Sequence, residues 1–114
     1  TVRQIVNHVA DAELVSAARL RRLLAEDQPH IPAFDQDEYA RRLRASERPV
    51  RAALSLVWAI REVNAELLTT LDDSDWRRGA VHEETGRYTL EEWLADKRDS
   101  DHVREHITQI RSSA

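Results

Sequence analysis

The sequence has no cysteine and no methionine, and its 114 residues include only 2 glycines, 3 prolines and 1 phenylalanine. Without cysteine there are no disulfides, thiolate metal sites, iron–sulfur clusters or cysteine nucleophiles, so any metal must be held by His, Asp or Glu. So few glycines and prolines suit a mostly helical chain. No apolar run approaches the ~20 residues that span a bilayer, and no secretory leader is visible, so a cytoplasmic location is the default expectation. A formal charge of −4, with both signs interspersed, gives no basic footprint for nucleic acid. What remains is 41% hydrophobic and 33% charged residues, rich in Ala, Leu, Arg and Glu. This is the composition of one mostly helical domain spanning residues 1–114.

The first helix begins at Thr1. Thr1-Val-Arg-Gln4 has the capping-box form, and Val2, Ile5, Val6, Val9, Ala12, Ser16, Leu20, Leu23 and Leu24 follow at helical spacing to about Ala25. His8 falls on the flank of that stripe. Residues 27–35 carry two prolines and end in an acidic cap, which predicts an extended connector. A short amphipathic helix follows from Gln36 to about Ser46. Pro49 suits the first turn of a long helix whose stripe runs through Val50, Ala53, Leu54, Val57, Ile60, Asn64, Leu67, Leu68 and Leu71, ending near Asp72. The next stretch holds both glycines and reads as an irregular link with a small hairpin turning at residues 84–86. Thr89-Leu-Glu-Glu92 is a second capping box and opens the last helical region. There the stripe of Leu90, Trp93 and Leu94 is rotated by roughly half a turn from that of Val103, Ile107 and Ile110, which predicts a kink or break over residues 96–101, with Asp99 or Ser100 free to cap a fresh segment.

The chemistry concentrates on histidine. His102 and His106, four apart, lie one turn apart on one helix face and can close on a single metal ion. A third ligand must come from another element, and His8 is the best candidate. Three neutral imidazoles with an open position make a site that can activate water. Asp11 could accept the second ring N–H of a metal-bound imidazole, act as a base near bound water, or be a surface carboxylate. Glu13 and Glu105 read as solvated charge. His82 reads as a loop imidazole over a pocket mouth or simply exposed, and His30, between two prolines, as structural. Asn64 is placed to hydrogen-bond within a bundle or line a pocket, while Trp58, Trp76 and Trp93 read as core or interface anchors. No Ser/His/Asp set, glycine-rich phosphate loop or His-Glu-x-x-His motif is present.

Three pieces coincide: Thr1-Val-Arg-Gln-Ile-Val-Asn-His8-Val-Ala-Asp-Ala-Glu13, Gly86-x-x-Thr-Leu90, and His102-x-x-x-His106-x-x-Gln-Ile110. Together they resemble the DinB-like superfamily, in particular its YfiT-type branch of metal-dependent hydrolases, from Thr1 to about Ser112. The resemblance implies an all-α, up-down-down-up four-helix bundle that commonly dimerises, so a homodimer is expected. It also implies a nickel or zinc ion on the positions matching His8, His102 and His106. Some members are similar to thiol-dependent transferases, so hydrolysis and thiol transfer on a small-molecule substrate are both open. The family's first helix precedes the segment beginning here at Thr1, so the chain looks one helix short, with residues preceding Thr1 or removed by processing. Leu90 to His102 is about two residues longer than the family spacing. The competing expectation is a non-catalytic interaction module with a structural or vestigial metal.

Overall fold

The computed structural model describes residues 1–95. The order of elements is α1 (Val2–Ala25), β1 (His30–Ile31), α2 (Gln36–Arg42), α3 (Arg51–Leu68), α4 (Asp73–Trp76), β2 (Gly79–His82), β3 (Gly86–Thr89) and α5 (Leu90–Ala95). The kink expected over residues 96–101, and the stripe of Val103, Ile107 and Ile110, lie outside the described residues.

Helix α1 starts where its sequence says it should: the Thr1 hydroxyl accepts from the Gln4 N–H at 3.2 Å. Its far end is closed by a side chain remote in sequence. Arg78 donates through Nε to the Leu23 carbonyl at 2.9 Å and through Nη2 to the Glu26 carbonyl at 2.8 Å, serving acceptors that a helix C-terminus leaves without partners.

The contacts between α1 and α3 advance in the same sense along both. Val6, Val9 and Ala10 pack with Ala53 and Val57, Glu13 pairs with Arg61, and Arg21 donates to the Asn64 side chain at 2.9 Å. Leu23 and Leu24 share a cluster with Leu67 and Leu68. The two long helices therefore run parallel, the relation of the middle pair in an up-down-down-up bundle. Parallel neighbours cannot be joined by a tight turn, so the chain must return along the whole pair, and residues 26–50 make that return.

Part of the return is extended, as the prolines require, and β1 within it pairs parallel to β2, His30 opposite Val81 and Ile31 opposite His82. Strand β2 pairs antiparallel with β3, Gly79 opposite Thr89 and His82 opposite Gly86, giving a three-stranded sheet in the order β1-β2-β3. The hairpin matches expectation, with Gly86 at φ +79°. Its third strand was not foreseen. Ile31, Ala80 and Leu90 meet Leu20 and Leu23 in a core to which Trp76, Tyr88 and Trp93 are added.

Helix α2 is capped by the Asp35 carboxylate on the Glu38 N–H, and it ends at Arg42 rather than Ser46. The Ala45 N–H bonds the Ala40 carbonyl at 2.9 Å and the Arg44 N–H bonds the Arg41 carbonyl at 3.2 Å, a Schellman arrangement with Arg44 at φ +55° and Ala45 buried. Helix α3 begins after Pro49, with Val50 at its N-cap, and stops at Leu68 instead of about Asp72. There the Thr69 and Thr70 hydroxyls turn back onto the Glu66 and Leu67 carbonyls. The second capping box forms both of its bonds, Glu92 N–H to the Thr89 hydroxyl and Thr89 N–H to the Glu92 carboxylate. Among the described residues no helix is long and apolar enough to cross a membrane.

Candidate metal centre

Residues 6–13 of α1 are all buried, so this stretch of the helix is enclosed around its whole circumference. Successive residues turn by about 100°. On that wheel Val6, Val9, Ala10 and Glu13 face α3, Asn7 and Asp11 face the return segment near residue 48, and His8 lies next to Asp11 on the side facing away from α3. Three polar side chains accompany His8 inside, and each is held.

Asn7 is 1% exposed. Its amide donates to the Ala45 carbonyl at 2.9 Å and the Arg48 carbonyl at 2.8 Å, pinning the return segment to the helix one residue before His8. Asp11, one turn after His8, accepts from the Arg48 guanidinium, with Nη2 to Oδ2 at 2.5 Å. Its charge is therefore already matched, and it is buried rather than a surface carboxylate. Glu13 is corrected as well: it is 7% exposed rather than solvated, and Arg61 on α3 donates to it from Nε at 3.0 Å. A carboxylate on a packed helix needs such a partner, because burying an unpaired charge is costly.

His8 itself is 8% exposed. It is the member of the expected triad that falls among the described residues; His102, His106 and Glu105 lie outside them. Among the described residues no group of three His, Cys, Asp or Glu side chains is placed to hold a metal. The described residues therefore contain His8 but not the rest of the expected ligand set. His82 is taken up elsewhere: its Nδ1 accepts from the Glu84 N–H at 3.1 Å and the Thr85 N–H at 3.4 Å, shaping the hairpin turn. His30 is exposed on β1, its carbonyl taking the Arg22 guanidinium at 3.0 Å. Asn64 makes the hydrogen bond within the bundle expected of it. Trp76 and Trp93 join the lower core, whereas Trp58 is 63% exposed.

A cleft of about 190 Å³ opens between Gln28, Arg77, Arg87 and Tyr88. It sits beyond the far end of α1, about 25 Å from His8 at the rise of a helix.

Sequence reasoning passed over Asn7, Arg48 and Arg61. One signal was present: two short polar residues, Asn7 and Asp11, four apart inside an apolar stretch share one face and ask for a common partner.

No family model matches the chain. It is 32% identical over 90 residues, 79% of its length, to a candidate metal-dependent hydrolase of Oceanobacillus iheyensis, covering 52% of that protein. To the candidate metal-dependent hydrolase YfiT of Bacillus subtilis it is 31% identical over 112 residues, 96% of its length, covering 63% of the relative. The chain thus spans between half and two-thirds of the curated relatives it matches. The structure of Bacillus subtilis YfiT, described as having an unusual four-helix bundle topology, superposes with a TM-score of 0.80 at 29% identity, over 99% of this chain and 66% of that one.

Proposed function

The chain is a YfiT-type member of the DinB-like superfamily of four-helix bundles, and from that premise we propose that it is a metal-dependent hydrolase holding one divalent ion through His8, His102 and His106. The observation that carries the reading is the burial of His8 on the most tightly enclosed part of α1, flanked by two polar residues that are each tied down. An imidazole held in that way is presented in a fixed orientation, which is what a ligand from a separate element must provide. An all-imidazole set suits zinc or nickel. Bound there, the ion would supply a Lewis acid and bring a coordinated water's pKa towards ~7. The relatives' names favour hydrolysis over thiol transfer.

The chain's own contribution is positional. Asn7 and Asp11 hold the return segment against α1 through Arg48, Glu13 and Arg61 hold α3 against it, and His8 lies between these attachments in the helix. Asp11, neutralised by Arg48, does not serve as the general base.

The test is elemental analysis of protein purified without added metal, repeated on His8→Ala and His106→Ala. The reading expects about one ion per chain in the parent and little in either variant. A His8→Ala protein that keeps its metal removes His8 from the centre, and a parent without metal ends the proposal.

A further inference from the structure

Two arginines, Arg77 and Arg87, border the cleft beyond the far end of α1. The guanidinium groups of Arg19, Arg22, Arg48, Arg61 and Arg78 are taken up by carboxylates or backbone carbonyls. Among the described residues no hydrogen bond or ion pair occupies Arg77 or Arg87. Arg77 follows α4 as its C-cap and Arg87 stands on β3 opposite Val81, so they reach the cleft from separate elements. Further donors stand beside them. The Thr89 hydroxyl accepts from the Glu92 N–H at 3.1 Å, which leaves its own O–H proton to donate. Gln28 adds an amide and is held at φ +42°, a left-handed conformation that residues other than glycine seldom adopt. Every residue bordering the cleft falls within residues 28–92 of the described chain.

Charge and shape narrow what could fill it. Arg77 and Arg87 bring two positive charges and Glu92 one negative, its carboxylate taking the Thr89 N–H at 3.2 Å. The balance is positive, which favours an anion. A carboxylate offers its oxygens in one plane and matches a single guanidinium fork. A phosphate points terminal oxygens in several directions and can serve two guanidinium groups and a hydroxyl that arrive from different elements. The cleft holds about 190 Å³, several times the ~30 Å³ that one water takes up in the liquid, so it has room for more than a bare phosphate. The remaining space, beside Tyr88, is where an organic group would lie.

We propose that this cleft binds a small phosphate monoester, its phosphate held by Arg77, Arg87 and the Thr89 hydroxyl. It is a second site, separated from His8 by most of the length of α1, and it does not depend on the hydrolase reading above.

The experiment uses the 114-residue chain stripped of metal, so that no ion at the histidines can capture phosphate, and holds ionic strength constant so that general screening does not change. Phenyl phosphate is the probe, with inorganic phosphate and acetate titrated beside it. Proton–nitrogen spectra follow the Arg77 and Arg87 Nε–H signals, each identified by its loss in the lysine variant. The expected result is a saturable movement of both signals with phenyl phosphate, tighter binding than inorganic phosphate, and no comparable movement with acetate. Affinity should fall about three- to tenfold in Arg77→Lys and in Arg87→Lys. It should hold in Arg51→Lys, a change at an exposed arginine that opens α3. Absence of binding, binding that leaves both signals in place, or an equal loss in Arg51→Lys overturns the site. An equal response to acetate overturns the phosphate assignment, and inorganic phosphate binding as tightly as phenyl phosphate overturns the ester in favour of the free ion. Arg77 and Arg87 are exposed, so their variants should fold, and the wild-type titration decides the matter if one does not.

Discussion

Replacing Asn7 by alanine removes two donors at once. The Ala45 and Arg48 carbonyls lose bonds of 2.9 and 2.8 Å, and Ala45 is only 1% exposed, so water cannot easily replace the amide at its carbonyl. Two ordinary hydrogen bonds contribute about 1 kcal/mol each, and a buried carbonyl left without a partner adds a penalty of about 1–3 kcal/mol. Against this, alanine is the better helix former by roughly 0.6 kcal/mol. The balance is a loss of about 2–4 kcal/mol, a large share of the stability of any domain of this size. Urea unfolding followed by circular dichroism should show the midpoint falling by about 1–2 M at an unchanged slope, taking a slope of about 2 kcal/mol/M from the middle of the small-protein range. Asn7→Asp, which keeps the shape but points an acceptor at two carbonyls, should lose at least as much. A change below about 1 kcal/mol in both variants would refute the claim that this amide clamps the return segment.

Arg78→Ala uncovers the C-terminal carbonyls of α1 at Leu23 and Glu26, and thermal unfolding should register a loss of about 1–3 kcal/mol. Arg44→Gly relieves a positive φ of 55° at the end of α2 and gives up only an exposed 3.9 Å ion pair; chemical denaturation should show a gain of about 0.5–1 kcal/mol. Gly79→Ala should cost about 1–3 kcal/mol by the same assay, because its Cβ would stand 3.0 Å from the Tyr88 carbonyl oxygen across the hairpin. Hydrogen bonds from Arg41 and Arg42 hold the Glu38 carboxyl below its ordinary pKa. The small stabilisation this confers is therefore present above the unfolded-state pKa and lost as pH falls through the lowered one. A carbon-detected titration of Glu38 should show it moving back up in Arg41→Ala and Arg42→Ala.

The elements written in local code were legible. Thr1 and Thr89 announce their helices because a hydroxyl and an acid or amide three residues later serve each other's neighbourhood, and Gly86 marks a turn because its φ is one that other residues avoid. The class of fold and the parallel pair came from the apolar stripes and the family resemblance. What escaped depends on partners distant in sequence. Glu13 reads as solvent-facing until Arg61, 48 residues later, is brought beside it, and Asp11 reads the same way until Arg48 arrives from 37 residues away. Strand β1 has two residues between prolines, too short to show alternation, and exists because β2 offers it an edge. The early end of α3 was available in Thr69 and Thr70, whose hydroxyls compete for backbone carbonyls, but the stripe running on to Leu71 masked it. Of the candidate site, His8 was singled out through its pattern and is buried, while Arg48 and Arg61, which tie down the polar residues around it, carry no motif.

The enclosure of residues 6–13 makes that stretch behave like a key cut on every side. Adding or deleting a single residue there would swing everything beyond it by about 100°, taking Glu13 away from Arg61 and Asp11 away from Arg48 in one stroke. A substitution disturbs one of these contacts, whereas a change of length displaces them together. The hairpin tip at residues 83–85, exposed throughout, is where this molecule can accept added chain.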